Sequence, residues 1–157
     1  MALLPGGTPA PDFDLPSLDG GRQTLASVQG ESPLILVFYK TNCPTCQFTF
    51  PFLERLQKAA TSASPRIVAI SQDDADATRT FNDRFGITIP TLLDTAGYPA
   101  SNAYRITNVP TLYLIAPDRR ILRSSDGFEK AIIEEFASLS SVIVFTPDDR
   151  VPVFRPG

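Results

Sequence analysis

The feature that most constrains the fold of this chain is a continuous apolar run, Leu34–Tyr39. A strand that is apolar at every position is covered on both faces, as in a parallel or mixed sheet packed between helices. Two shorter runs of the same kind follow at 67–70 and 112–115. The sequence therefore predicts that these three runs form the buried centre of one sheet.

Helical patterns separate the three apolar runs. Residues 44–60 carry apolar side chains at helical spacing, and Pro44 suits the first turn of a helix, where its missing N–H costs nothing. Two further helices are predicted over 74–85, ending at Gly86, and over 127–139. This alternation of strands and helices is typical of an α/β sandwich.

Shorter elements surround this framework. They are predicted strands at 13–15, 23–25, 91–93, 121–125 and 142–145, and a predicted helix at 98–104. The tail 147–157 contains several prolines, and we expect it to be an extended arm that covers an edge strand; the alternative is that it mediates a dimer. The expected organisation is one domain over 1–157, with a core of about 8–140 and a C-terminal arm over 141–157.

The composition limits the chemistry available to the chain. Its 157 residues include two cysteines and no histidine, which excludes Ser-His-Asp and Cys-His catalysis and histidine ligation of zinc or haem. A net charge of −3 argues against nucleic acid as the main partner. No apolar run approaches the roughly 18 residues needed to span a membrane. Any chemistry must therefore use carboxylates, hydroxyls, Lys or Arg side chains, or the two thiols.

The first seven residues bear on the expected location. Met1–Gly7 has neither the basic nor the apolar region of a secretory signal peptide, which favours a cytoplasmic protein. The alternative is an exported or membrane-tethered protein whose leader is missing from this sequence.

The chemical signal in the sequence is Cys43-Pro44-Thr45-Cys46, which follows the first apolar run and opens a predicted helix. Cys43 is expected at or near the helix N-cap, where free backbone N–H groups and the helix dipole favour a thiolate. Such surroundings lower a thiol pKa from about 8.5 to about 3.5–7.5. Because the thiolate is the attacking species in disulfide exchange, we assign Cys43 as the attacking residue and Cys46 as the resolving residue.

Other interpretations of the two thiols remain open. They can be unrelated buried residues, which would make the protein a redox-inactive binding module. They can also be half of a metal site, but the chain has no second Cys-x-x-Cys and no histidine to complete one. The order strand, Cys-x-x-Cys, helix favours redox function, for which neither an organic cofactor nor a metal is expected.

Three features together carry a family resemblance. They are the segment 34–46, in which a strand leads into Cys-x-x-Cys; Pro51, five residues after Cys46; and the segment 104–112 around Val109-Pro110. With these features the chain resembles the thioredoxin-like superfamily over about residues 8–140. Within it, the chain is similar to the redoxin group of TlpA-type thiol–disulfide oxidoreductases and AhpC/TSA-related, peroxiredoxin-like proteins.

The resemblance implies both a fold and a set of partners. The implied fold is a thioredoxin-like three-layer α/β/α sandwich with a central mixed β-sheet and an N-terminal β extension. The implied partners are thiol or disulfide proteins, or small thiols, and we expect a monomer or weak dimer. The resemblance further implies a cis peptide at Val109–Pro110 facing the cysteines, with Val109 pairing with an extended substrate strand. The competing segment Ile89-Pro90 resembles instead the proline before the short strand of the redoxin insertion; for either proline the alternative is an ordinary trans turn.

The chain departs from the family pattern at several positions. The residue before the first cysteine, aromatic in many relatives, is Asn42, which we assign to partner binding. The buried aspartate of classical thioredoxins is replaced by Val37. TlpA-type relatives resemble this chain in placing a carboxylate after the second long strand, so Asp74 is the candidate proton acceptor for Cys46, with Asp73 next to it. The alternative is that residues 71–74 are only a loop and the N-cap of the following helix.

A thiol peroxidase is the alternative enzyme class. Peroxiredoxins carry Thr or Ser three residues before the attacking cysteine, where this chain has Lys40. This difference disfavours peroxide reduction as the main activity.

Overall fold

The computed structural model describes residues 2–157 and contains nine strands and five α-helices within that range. The strands are β1 (Asp14–Pro16), β2 (Arg22–Thr24), β3 (Leu34–Tyr39), β4 (Arg66–Ser71), β5 (Thr91–Leu93), β6 (Thr111–Ile115), β7 (Ile121–Asp126), β8 (Phe128–Glu129) and β9 (Phe154–Arg155). The helices are α1 (Leu25–Val28), α2 (Pro44–Ala59), α3 (Ala75–Phe85), α4 (Pro99–Ala103) and α5 (Lys130–Ser138). None of the helices in this range is long and apolar enough to cross a membrane.

Five strands form the central sheet in the order β5-β4-β3-β6-β7. β3, β4 and β5 run parallel, whereas β6 and β7 are antiparallel to their neighbours. β3 lies in the middle, and every residue of it is buried, as its continuous apolar sequence predicts. The expected mixed sheet is therefore confirmed.

The side chains of β3 alternate between two hydrophobic cores. Ile35, Val37 and Tyr39 face a core shared with α2, α3 and α5. Leu36 and Phe38 face a second core that includes residues of α1 and α4. Burial of a side chain of this size stabilises the fold by about 1.5–3 kcal/mol. The two cores therefore stabilise the packing of a helical layer against each face of the sheet. The predicted three-layer α/β/α sandwich is confirmed.

The N-terminal extension is the hairpin of β1 and β2, which pair antiparallel. It docks beside the edge strand β5, because Ser17 forms a β-bridge with Leu92 and the N–H of Leu18 donates to the carbonyl of Thr91. The second predicted strand ends one residue early. Leu25 begins α1 instead, since Thr24 caps the helix through its hydroxyl.

The predicted helix over 127–139 begins later than expected. Phe128 and Glu129 are extended and pair antiparallel with Arg155 and Phe154, so the helix starts only at Lys130. The sequence 127–139 does have apolar residues at helical spacing. The backbone conformation of Phe128 and Glu129 is nevertheless set by their strand pairing with the distant segment 154–155.

Two expectations for the C-terminal arm are corrected by the structure. Residues 142–145 form no strand; Val144 instead presents its carbonyl to the guanidinium of Arg55 at 3.0 Å. The arm then passes through a short 3₁₀ turn at Pro147–Asp149 before β9. β9 pairs with β8 and covers no edge of the five-stranded sheet. The arm therefore returns to the end of the molecule where α2 begins.

Candidate active site

The site is built at the carboxyl end of β3, where the chain turns into α2. Cys43 is the N-cap of α2 and Pro44 occupies its first turn, as the sequence predicts. The Sγ atom of Cys43 accepts a hydrogen bond from the backbone N–H of Cys46 at 3.1 Å. Both cysteines are free thiols, Cys43 half-buried and Cys46 fully buried. The helix therefore brings the two sulfurs together with only the first accessible.

The two thiols have opposite pKa shifts. The pKa of Cys43 is lowered from 9.0 to about 6, first by a hydrogen bond from the Cys46 thiol and then by the backbone N–H groups of Cys46 and Thr45. Burial raises the pKa of Cys46 far above the ordinary range, and its hydrogen bond to Cys43 adds to the effect. Near neutral pH the pair thus consists of an accessible thiolate and a buried thiol, which is the asymmetry that disulfide exchange requires.

The loop before β6 lies against the attacking cysteine. The Val109–Pro110 peptide is cis, as expected, whereas Ile89–Pro90 is not. The carbonyl oxygen of Val109 lies 3.3 Å from the Sγ atom of Cys43, which donates to it when protonated. Val109 is thus placed where its backbone can contact a partner that reacts with Cys43. Its role in substrate binding, like that of the exposed Asn42, stays a prediction.

The two candidate carboxylates, Asp73 and Asp74, lie in different surroundings. Asp74 caps α3, its Oδ1 atom accepting from the N–H of Ala77 at 2.8 Å, and the residue is exposed. Its neighbour Asp73 turns towards the site and accepts from both the N–H and the hydroxyl of Thr41, at 2.7 and 2.8 Å. The negative charge of Asp73 also contributes to the raised pKa of Cys46. Asp73 is thus joined to the loop that leads into Cys43, and the role of either carboxylate as proton acceptor for Cys46 stays a prediction.

The C-terminal segment reaches the site, which the sequence did not predict. The hydroxyl of Thr45, between the two cysteines, donates to the carbonyl of Pro156 at 2.6 Å. The guanidinium of Arg155 lies 5.0 Å from the centre of the Phe48 ring. No local signal could have revealed these contacts, since the partners are more than 100 residues apart in sequence.

A groove of about 470 Å³ opens beside the same loop. Lys40, Gln72, Tyr98, Asn108 and Val109 are among its lining residues. It is open and of mixed polarity, and it adjoins the backbone that faces Cys43. Within residues 2–157, no cluster of three or more Cys, Asp or Glu side chains is arranged to hold a metal ion.

The fold and the site together define a thioredoxin-like protein with a Cys-x-x-Cys thiol pair, the class of thiol–disulfide oxidoreductases. The chain belongs to the AhpC/TSA family, whose sequence model matches residues 6–124. It is 29% identical to the thiol-disulfide oxidoreductase ResA of Halalkalibacterium halodurans over 140 residues, covering 88% of this chain and 78% of that protein.

Two further comparisons agree on the architecture. The thioredoxin-like protein YneN of Bacillus subtilis is 32% identical over 113 residues, or 69% of this chain and 64% of its own length. The thioredoxin domain of a thiol-disulfide oxidoreductase from Bacteroides vulgatus superposes with a TM-score of 0.75. At 18% identity, over 85% of this chain and 98% of the other, that similarity concerns the fold alone.

Proposed function

We propose that this protein exchanges electrons with the thiols and disulfides of partner proteins through Cys43 and Cys46. The observation that carries the proposal is the pairing of an accessible thiol, with a pKa lowered to about 6, with a buried thiol in hydrogen-bond contact. The similarity to ResA, which is named a thiol-disulfide oxidoreductase, supports the same chemistry.

Reduction of a partner takes place in two displacements. The Cys43 thiolate attacks one sulfur of the partner disulfide, forming a mixed disulfide and releasing the other partner sulfur as a thiolate, which takes up a proton. Cys46 then loses its proton and attacks the Sγ atom of Cys43. The Cys43–Cys46 disulfide forms, the second partner thiol is released, and two electrons have passed to the partner.

The surroundings of each sulfur fit its step. In the first step the N–H groups at the start of α2 stabilise the attacking thiolate of Cys43. In the mixed disulfide Cys43 is no longer charged, so the hydrogen bond that holds the proton on Cys46 is lost. Burial still keeps the pKa of Cys46 high, and a nearby proton acceptor is therefore needed.

The proposal is tested by the dithiothreitol-dependent reduction of insulin disulfides. The wild-type protein is expected to accelerate the reaction, and Cys43→Ser to reduce it to the rate of dithiothreitol alone. When the reductant is removed before insulin is added, Cys46→Ser is expected to accumulate the mixed disulfide with insulin, which non-reducing electrophoresis detects. Ser62→Ala, at an exposed position outside the site, is the matched control and should behave as the wild type.

Two results would contradict the proposal. One is an insulin rate for the wild type no higher than for dithiothreitol alone. The other is turnover of hydrogen peroxide that exceeds disulfide reduction, which would make the protein a thiol peroxidase instead. Titration of the Cys43–Cys46 couple against a glutathione buffer gives its reduction potential and hence the direction of electron flow. The cytoplasmic location remains a prediction for cell fractionation to test.

A further inference from the structure

The last residues of the chain cross the face of the candidate active site. Phe154 and Arg155 form β9 and pair antiparallel with β8, and the carbonyl of Val153 accepts from the N–H of Lys130 at 3.0 Å. This pairing holds the segment extended as it approaches the start of α2. We refer to residues 154–157 as the strap.

The strap uses the hydroxyl that lies between the two cysteines. Thr45 is 5% exposed, and its Oγ1 atom donates to the carbonyl of Pro156 at 2.6 Å. This is a contact from a side chain of the active-site motif to a backbone carbonyl. Any extended polypeptide can supply such an acceptor, whatever its sequence.

The strap also covers the backbone beside the cis peptide. A Cβ atom on Gly157 would lie 2.9 Å from the carbonyl carbon of Val109, 3.3 Å from its backbone nitrogen and closer still to its carbonyl oxygen. Only a residue without a side chain fits this approach. The carbonyl of Val109 is the same group that contacts the Sγ atom of Cys43. The strap thus occupies the backbone surface that a polypeptide reacting with Cys43 would have to use.

Arg155 adds a charge to these backbone contacts. Its guanidinium lies 5.0 Å from the ring centre of Phe48, and its positive charge is one of the smaller causes of the lowered pKa of Cys43. Cys43 itself remains half-exposed beneath the strap. A small reagent can therefore reach the sulfur without moving the strap, whereas a polypeptide that needs Val109 and Thr45 must displace it.

We propose that the strap is an internal competitor for the partner-binding surface formed by Val109 and Thr45, and that the partner is an extended segment of polypeptide rather than a small thiol. The inference rests on the proposed disulfide exchange at Cys43. If a partner binds only molecules whose strap is released, its apparent affinity is its intrinsic affinity multiplied by the fraction of released molecules. If about one molecule in ten is released, release of the rest raises partner affinity about tenfold.

The test compares two substrates in a variant that cannot close the strap. Gly157→Val places a side chain against the backbone of Val109 and forces the segment away. Insulin serves as the polypeptide disulfide and 5,5′-dithiobis(2-nitrobenzoate) as the small one. The assays are run at pH 8, where a Cys43 with a pKa of about 6 is ionised whether or not Arg155 is near. We expect kcat/KM for insulin to rise about tenfold and the rate with the small disulfide to stay within twofold.

Two further measurements serve as controls. Val153→Ala shortens an exposed side chain of the residue that precedes the strap, so the variant should match the wild type with both substrates. A synthetic peptide with the sequence of residues 151–157 should compete with insulin for the Gly157→Val protein and restore the lower rate. Competition in trans does not depend on how well the variant itself closes or packs.

The outcomes separate the strap from the proposed function. An unchanged insulin rate in Gly157→Val, with both proteins active, overturns the strap but leaves disulfide exchange intact. An equal rise with both substrates overturns the polypeptide partner, since the strap would then only shield the sulfur. No exchange by the wild type with either substrate overturns the proposed function itself, and the strap's competitive role with it.

Discussion

At the scale of single residues, two chemically identical thiols differ in pKa because they lie one helical turn apart in different surroundings. Cys43 lies at the helix N-cap and receives N–H donors, whereas Cys46 is buried in the core beneath it. Donors stabilise the thiolate and burial destabilises it, so the pKa of Cys43 falls to about 6 while that of Cys46 rises. The division into attacking and resolving residues is therefore a consequence of position.

The first prediction concerns the largest cause of the low pKa of Cys43, the hydrogen bond from the Cys46 thiol. In Cys46→Ala this donor is lost, and the pKa of Cys43 is expected to rise towards the ordinary 9.0. In Cys46→Ser a hydroxyl replaces the donor, so the rise should be smaller. Each unit of rise beyond pH 7 lowers the thiolate fraction at that pH by about tenfold.

The measurement is the pH dependence of Cys43 alkylation by iodoacetamide in the reduced proteins. The wild-type rate should increase with pH through about 6 and level off above it, because the thiolate is then complete. A midpoint that stays near 6 in Cys46→Ala would show that the backbone N–H groups alone hold the pKa down.

At the scale of elements, the site depends on two loops that leave neighbouring parallel strands. Tyr39 at the end of β3 is in register with Ser71 at the end of β4, so the loops that follow lie side by side. Asp73 joins them by accepting two hydrogen bonds from Thr41. Sequence position alone did not distinguish Asp73 from Asp74, because adjacent residues of a loop point in different directions.

We predict that Asp73 and not Asp74 supports the resolving step. Asp73→Asn removes the carboxylate whose charge acts on Cys46 and should slow the formation of the Cys43–Cys46 disulfide by about a hundredfold or more, the usual contribution of a proton-transfer group. Asp74→Asn should react as the wild type, since Asn and Asp cap a helix equally well. Stopped-flow resolution of a preformed mixed disulfide measures the step.

A further variant separates proton transfer from loop structure. Thr41→Ala removes one hydrogen bond to Asp73 but keeps the carboxylate, so its resolving rate should fall by about fivefold or less, as one hydrogen bond contributes about 1 kcal/mol. Slower resolution in Asp74→Asn than in Asp73→Asn would show that the residue chosen from the sequence is the right one after all.

At the scale of the whole molecule, the C-terminal arm links the core to the active site. Phe145 packs against the rings of Phe52 and Phe128, and Asp149 forms a two-point ion pair with Arg55 of α2 at 2.9 Å. Arg55 holds the pKa of Asp149 well below its usual range. The pair therefore stabilises the arm at every pH above the ordinary Asp range, and the contribution is lost as the pH falls through the lowered value.

We predict that breaking this pair loosens the arm without unfolding the core. In Asp149→Asn at pH 7, trypsin should cleave after the exposed Arg150 several-fold faster than in the wild type. Asp148→Asn is the control: it removes the next acidic residue before the cleavage site but no contact to Arg55. Equal cleavage rates in the two variants would contradict an anchoring role for the ion pair.

The sequence predicted the elements that local patterns define. The burial of β3, the helix that begins at Pro44, the αL glycine that ends α3 at Gly86 and the cis proline at 110 all agree with the structure. Some errors were local, as where Thr24 caps α1 and ends the predicted strand early, but at Phe128 a long-range contact overruled a local pattern. Phe128 carries helical periodicity but is extended, because Arg155 pairs with it across the chain.

By itself, the sequence determined the chemistry: two thiols one turn apart behind a buried strand, in a chain without histidine. Only the tertiary structure decided the surroundings of those thiols, namely which aspartate binds the loop before Cys43 and which segment lies over Thr45 and Val109. The physical reason is the range of the interactions. Apolar periodicity and helix capping act between residues a few positions apart, whereas packing and hydrogen bonds across the site join residues from both ends of the chain.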